Sequence, residues 1–146
     1  MSAPPDIARD LLGAIPYARY LGMRAELHGD EMTAVLPYAD GLIGNPAIPA
    51  LHGGVIGAFM ELTAMAQLAL AQGMAQGMAR QPKPIGVTVE YLRSGRPRDV
   101  YARAEIKRLG RRVASVRVEA WQESRGAPIA ALHGHFLVPP QAGDER

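Results

Sequence analysis

The chain predicts an α+β domain in which a single antiparallel sheet wraps one long apolar helix. Three observations carry that prediction. From Leu51 to Ala71 the sequence is apolar nearly all round, as a helix buried on most sides must be. From Ile85 to Val138 it changes to period two, interrupted by turn clusters at Ser94–Arg98, Leu109–Arg111 and Ser124–Gly126. A shorter alternating pair, Leu21–Leu27 and Glu31–Leu36, stands before the helix.

Taken in order, Asp6–Leu12 reads as a short amphipathic helix, with Pro4 and Pro5 ahead of it and Gly13 behind. Ile15-Pro16-Tyr17 leads into the strand Leu21–Leu27, and His28-Gly29-Asp30 turns it into Glu31–Leu36, a first hairpin. Tyr38–Ala50 holds repeated glycine and proline breaks and reads as a loop of functional length. The long helix runs from about Leu51 into the Gly73–Gly77 region, whose Gln-Gly-Met doublet reads as a frayed exit. Four strands follow in a meander: Ile85–Leu92, Val100–Lys107, Val113–Gln122 and Pro128–Val138. A polar tail, 139–146, closes a single domain with its core at about 15–138. The first strands are short and the last ones long, so an edge is left exposed that dimerisation would cover.

Bulk properties exclude several classes. With 146 residues, 48% of them hydrophobic and 21% charged, the composition is that of one globular domain. A net charge of +2 argues against a nucleic-acid partner. The absence of cysteine removes disulfides and thiolate metal sites. No basic flank precedes an apolar run at the start, so the expectation is a cytoplasmic protein. The apolar stretch Leu51–Ala71 approaches spanning length but carries His52, Glu61, Thr63 and Gln67, which makes insertion costly.

Chemistry concentrates where the loop meets the helix. His52-Gly53-Gly54 opens the helix with bare backbone N–H groups and the positive end of its dipole, and Glu61 is an isolated acid in apolar company. Gly54 and Glu61 are seven residues apart, on nearly one helix face but about 10.5 Å apart along the axis. A general base must lie within about 3 Å of its proton or one water away. One chain therefore struggles to bring Glu61 to a carbonyl held at its own Gly54, whereas a two-fold-related copy could lend its own.

Leu51-His52-Gly53-Gly54-Val55-Ile56 with Glu61, the strand Val87–Arg93, Gly95-Arg96-Pro97 and Arg108–Val113 together resemble the hotdog-fold acyl-CoA thioesterases of the phenylacetyl-CoA type. The likeness spans about residues 15–138. It implies a hotdog fold and hydrolysis of an acyl- or aryl-CoA thioester without cofactor or metal, in a homo-oligomer (a dimer or dimer of dimers) with sites shared between subunits. In that reading Gly53 or Gly54 polarises the carbonyl and Glu61 acts as general base or nucleophile. Asn45 supplies a loop amide, and His52 belongs to the same motif. Glu stands where many relatives carry Asp. Met65 stands where relatives often carry a hydroxyl residue, with Thr63 nearby on another face.

Other residues carry two readings. Tyr91 and Trp121 suit core packing or an acyl-pocket wall. Arg93, Arg96, Arg98, Arg108, Arg111 and Arg112 suit a solvated rim or capture of coenzyme A phosphates, and Arg93, Arg96 and Arg111 are the expected substrate contacts together with Tyr91 and Thr63. His133 and His135 share a strand face and could bind zinc, but no third ligand is fixed beside them. A non-catalytic acyl-CoA-binding module stays open as the rival function. A hydratase or dehydratase is disfavoured because His52 and Glu61, nine residues apart, face opposite ways.

Overall fold

The computed structural model describes residues 4–28, 31–73 and 81–139. Two helices open the chain, α1 (Pro4–Ala14) and α2 (Pro16–Leu21), where the sequence suggests one short helix and an early strand. Pro16 sits in the first turn of α2, where a missing N–H costs nothing. Gly22 then stops the helix in the left-handed region at φ 68°, donating to the Arg19 carbonyl at 3.0 Å. The strand β1 consequently begins only at Arg24 and runs to His28, pairing with β2 (Glu31–Leu36).

The segment expected as a plain loop contains a 3-10 turn at Asp40–Leu42 and a small hairpin, β3 (Ile43–Asn45) with β4 (Ala50–Leu51). The long helix α3 spans Gly53–Gln72 and is closed by Gly73, again left-handed. The expected exit through Met74–Met78, the turn residues Gly29 and Asp30, and the tail from residue 140 lie outside the described residues. The remaining strands are β5 (Lys83–Tyr91), β6 (Val100–Leu109), β7 (Val113–Trp121) and β8 (Ala130–Leu137).

Six strands form one antiparallel sheet in the order β1-β2-β6-β7-β8-β5. The meander holds for β6, β7 and β8, but β5 pairs with β8 rather than with its sequence neighbour β6. Ser94–Arg98 is therefore no hairpin. It belongs to a linker that crosses the ends of β8 and β7, held by Leu92 and Arg93 N–H groups on the Ile129 carbonyl and by Gln122, which bonds the backbone of Arg96 and Arg98. This crossing leaves β5 as an outer edge.

α3 lies across the concave face, packed on β6, β7, β8, β5, β2 and, from the other side, α1. Phe59, Met60, Ala64, Ala66 and Leu68 are fully buried. Their facing residues are the inward alternates of the strands, among them Val100, Ala102, Val118, Ala120, Leu132 and Phe136. Many are alanines on both sides, so helix and sheet approach closely. α3 is long and apolar enough to cross a bilayer, yet most of it is buried inside this fold. The antiparallel sheet wrapped on a long helix is the architecture expected from the sequence.

Candidate active site

The first turn of α3 is built by three hydrogen bonds and one close backbone approach. His52 is its N-cap, with extended backbone (φ −64°, ψ 130°) and its imidazole Nδ1 accepting from Gly54 N–H at 2.9 Å. That bond requires the ring proton on Nε2. His52 N–H in turn donates to the Leu42 carbonyl at 2.8 Å, tying the cap to the 3-10 turn. Gly44 passes so close that a Cβ there would lie 2.7 Å from His52 Cα. Last, the Tyr91 hydroxyl at the end of β5 donates to the Gly53 carbonyl at 2.7 Å.

These contacts separate the two glycines that the sequence leaves equivalent. The Gly54 N–H is consumed by the His52 cap, whereas the Gly53 N–H meets no described acceptor. A carbonyl oxygen arriving at the helix start would therefore find Gly53 as its donor, reinforced by the helix dipole.

Glu61 is half-buried on α3, and no described residue bonds or pairs with it. Burial raises its carboxyl above the ordinary glutamate value. It lies on a stripe with Gly54 and Ala58, at helical spacing, that neither the sheet nor α1 covers completely. Gly53 and Glu61 remain eight residues apart, about 12 Å along the axis.

Other predicted residues distribute unevenly. Asn45 is exposed at the end of β3, opposite Ala50, and its side-chain oxygen accepts from Ala47 N–H at 3.0 Å, leaving only the NH2 group available. Arg93 and Arg96 are exposed on the linker either side of Gly95, whose carbonyl takes the Leu51 N–H at 2.9 Å, so both stand near the helix start. Arg111 is not brought to them within the chain: it turns β6 into β7 at the opposite end of the sheet, a ten-residue strand or about 33 Å away. Thr63 is fully buried and donates to the Phe59 carbonyl at 2.8 Å, which takes it off any substrate surface. His133 and His135 point to the exposed outer face, His133 beside Arg117, and no group of three or more metal-ligating side chains occurs among the described residues. Gln122, which clamps the arginine-bearing linker, had no sequence signal beyond being polar.

A six-stranded antiparallel sheet around a long helix, with His-Gly-Gly at the helix start and an isolated acid along it, defines a hotdog thioester hydrolase. The chain belongs to the thioesterase superfamily, whose family model matches residues 49–129. It is similar to the medium/long-chain acyl-CoA thioesterase YigI of Escherichia coli K12, 31% identical over 135 residues, with 85% of this chain and 86% of that one covered. A solved Pseudomonas aeruginosa protein is 28% identical with a TM-score of 0.78, covering 92% of this chain and 98% of that one. The Escherichia coli PaaI protein of the phenylacetic acid degradation operon shares the fold at 12% identity and a TM-score of 0.76, with 92% of each chain covered.

Proposed function

We propose that this protein hydrolyses acyl-CoA thioesters in the cytoplasm, as a homodimer whose two sites each combine the Gly53 N–H of one subunit with Glu61 of the other. The observation that carries it is the pairing of an N–H at a helix start with a half-buried carboxylate, neither with a partner among the described residues, that one chain cannot bring together. Glu61 takes a proton from water as the oxygen attacks the thioester carbon. Gly53 N–H bonds the developing oxyanion. Collapse breaks the C–S bond, and the proton held by Glu61 goes to the departing thiolate, giving free acid and coenzyme A. Burial favours the proton-accepting role by raising the carboxyl toward working pH.

The exposed β5 edge supports the dimer. Its inward side chains Val87 and Tyr91 are 41% and 55% exposed, and one row of its backbone groups lacks a strand partner among the described residues. A two-fold copy set antiparallel on β5 would extend the sheet and bring the partner's end of the sheet, with its β6–β7 turn and Arg111, toward this chain's Gly53. Arg93 and Arg96 are the cations we assign to the coenzyme A phosphates, with Asn45 NH2 as a further donor to the bound thioester. A medium or long apolar acyl chain is favoured over an aryl group, since the relative acting on such chains is 31% identical whereas the likeness to PaaI extends to fold alone.

The test is thiol release from a panel of straight-chain acyl-CoA thioesters and phenylacetyl-CoA. Saturable hydrolysis that improves with chain length supports the reading. Tight coenzyme A binding with no thiol release would replace it with the non-catalytic binding module.

A further inference from the structure

Glycine is the freest residue in the chain, which makes Gly53 a poor place to fix a catalytic donor unless its neighbours hold it. Both peptide planes that meet at its Cα are in fact held. The preceding plane has its carbonyl, that of His52, accepting from Val55 and Ile56 N–H at 3.1 and 3.3 Å. The following plane is tied at both ends: its carbonyl accepts from the Tyr91 hydroxyl at 2.7 Å, and its N–H, that of Gly54, donates to His52 Nδ1 at 2.9 Å. Of these ties only the Tyr91 hydroxyl comes from the sheet. It reaches α3 from the last residue of β5, thirty-eight positions away in sequence.

The packing is built for that reach. Gly53 and Gly57 are one turn apart on the same face of α3. A Cβ on Gly53 would lie 3.2 Å from Tyr91 Cε1 and Cζ, and one on Gly57 would lie 3.5 Å from the Tyr91 hydroxyl. The phenol thus occupies a trough that two missing side chains leave open. Tyr91 is itself registered against Ala130 of β8, and the next two N–H groups are pinned to the Ile129 carbonyl.

We infer that Tyr91 is a positioning residue of the active site: its hydroxyl locks the Gly53–Gly54 peptide, so that the adjoining His52–Gly53 peptide is held on both sides of the Gly53 Cα and its N–H stays aimed at the thioester oxygen. This rests on the reading of Gly53 as the oxyanion donor, and it gives Tyr91 a different task from lining an acyl pocket. The hydroxyl touches backbone, so its effect belongs to the chemical step and is independent of the acyl group.

Tyr91→Phe removes the bond and keeps the ring in its trough. The expected result is a fall in kcat of about tenfold, one hydrogen bond's worth, with KM unchanged and the same loss across the acyl-CoA panel. Amide exchange at Gly54, followed by NMR on the free protein, should quicken in the variant while the melting temperature holds. Unchanged Gly54 protection would overturn the proposal, and so would a loss confined to KM that varies with acyl length, the mark of a pocket wall. Glu61→Gln is run beside it. If that variant keeps full activity, the shared-site mechanism fails while the exchange measurement still decides whether Tyr91 holds the peptide.

Discussion

Replacing Gly53 with proline deletes one hydrogen atom from the site at a place where the helix tolerates the loss. Gly53 is the first residue of α3, where proline is well accommodated and where no intrahelical bond is forfeited. His52 already has the extended backbone that a residue before proline needs, at φ −64° and ψ 130°. The foldability of the variant follows from a short balance. Restricting the unfolded chain contributes about 0.4–1 kcal/mol in favour of folding. Against it, the new Cβ stands 3.2 Å from the Tyr91 ring and pushes the phenol aside, endangering a hydrogen bond of about 0.5–1.5 kcal/mol. The two nearly cancel, so the melting temperature should move by only about 2–4 °C. Activity should not survive so well. Loss of one oxyanion donor costs about 2.7–4 kcal/mol, a fall in kcat of about 10²–10³. Steady-state thiol release and thermal unfolding on the same preparation measure both quantities. Gly54→Pro is the control: it removes the N–H that His52 caps, its Cβ meets the imidazole at 2.9 Å, and stability should drop with activity. A folded Gly53→Pro enzyme with wild-type kcat would refute the assignment of the donor.

Three further outcomes follow from the same geometry. Glu61→Gln should lower kcat by about 10²–10⁴ while stabilising the fold at neutral pH. Burial raises the Glu61 carboxyl, so the folded chain holds that proton more tightly than the unfolded chain, and wild-type stability declines as pH climbs from the ordinary glutamate value through the raised one. Urea unfolding should therefore show the variant's advantage at pH 8 and its disappearance on acidification; an advantage independent of pH would remove desolvation as the cause. Refolding Glu61→Gln and Gly53→Pro chains together should restore about a quarter of wild-type activity, because half of a random mixture pairs unlike chains and each such dimer keeps one intact site. Silence in the mixture would place both groups in one chain. Gly134→Ala, outside the site, should cost about 1–3 kcal/mol in denaturant unfolding, since its Cβ would sit 2.9 Å from both Phe136 and Val87.

The contrast between α3 and the strand order shows what sequence pattern carries. α3 was legible because an apolar stretch of that length without alternation has few other uses, and Glu61 was legible because a lone acid in it needs a reason. Period-two alternation identifies a strand and its inner face but says nothing of its neighbour. β5 and β6 therefore read as a hairpin until the Ile129 and Gln122 bonds show the linker crossing two strand ends. α2 was missed because a six-residue helix is too short to show periodicity, although Pro16 and Gly22 mark its two ends. Within the candidate site, residue types with a chemical signature are legible in the sequence, while the choice between Gly53 and Gly54 as the proposed donor is not. That choice depends on which N–H an imidazole reaches, a matter of one rotamer. Thr63 misled for a similar reason: a hydroxyl near an acid suggests substrate, but on a buried helix it bonds back to its own backbone.

The strand β5 carries the last step. Its sequence alternates Ile85, Val87, Val89 and Tyr91 against Gly86, Thr88 and Glu90, the pattern of a strand with one face buried. In the single chain Val89 on that face packs against the core, but Val87 and Tyr91 remain substantially exposed. In the interior strand β7 the alternation and the burial agree: its inward residues, Ala114, Val116, Val118 and Ala120, are all buried. The disagreement is largest on β5, one of the two edge strands of the sheet, on the side of α3 where Gly53 and Gly57 face Tyr91 and Val89. A sequence written for burial, on an edge strand beside the proposed oxyanion donor, argues that the functional unit is two chains meeting along β5. On that view Tyr91 stands at the junction: it ends the edge strand, and its hydroxyl passes the position of that edge to the peptide adjoining the proposed donor.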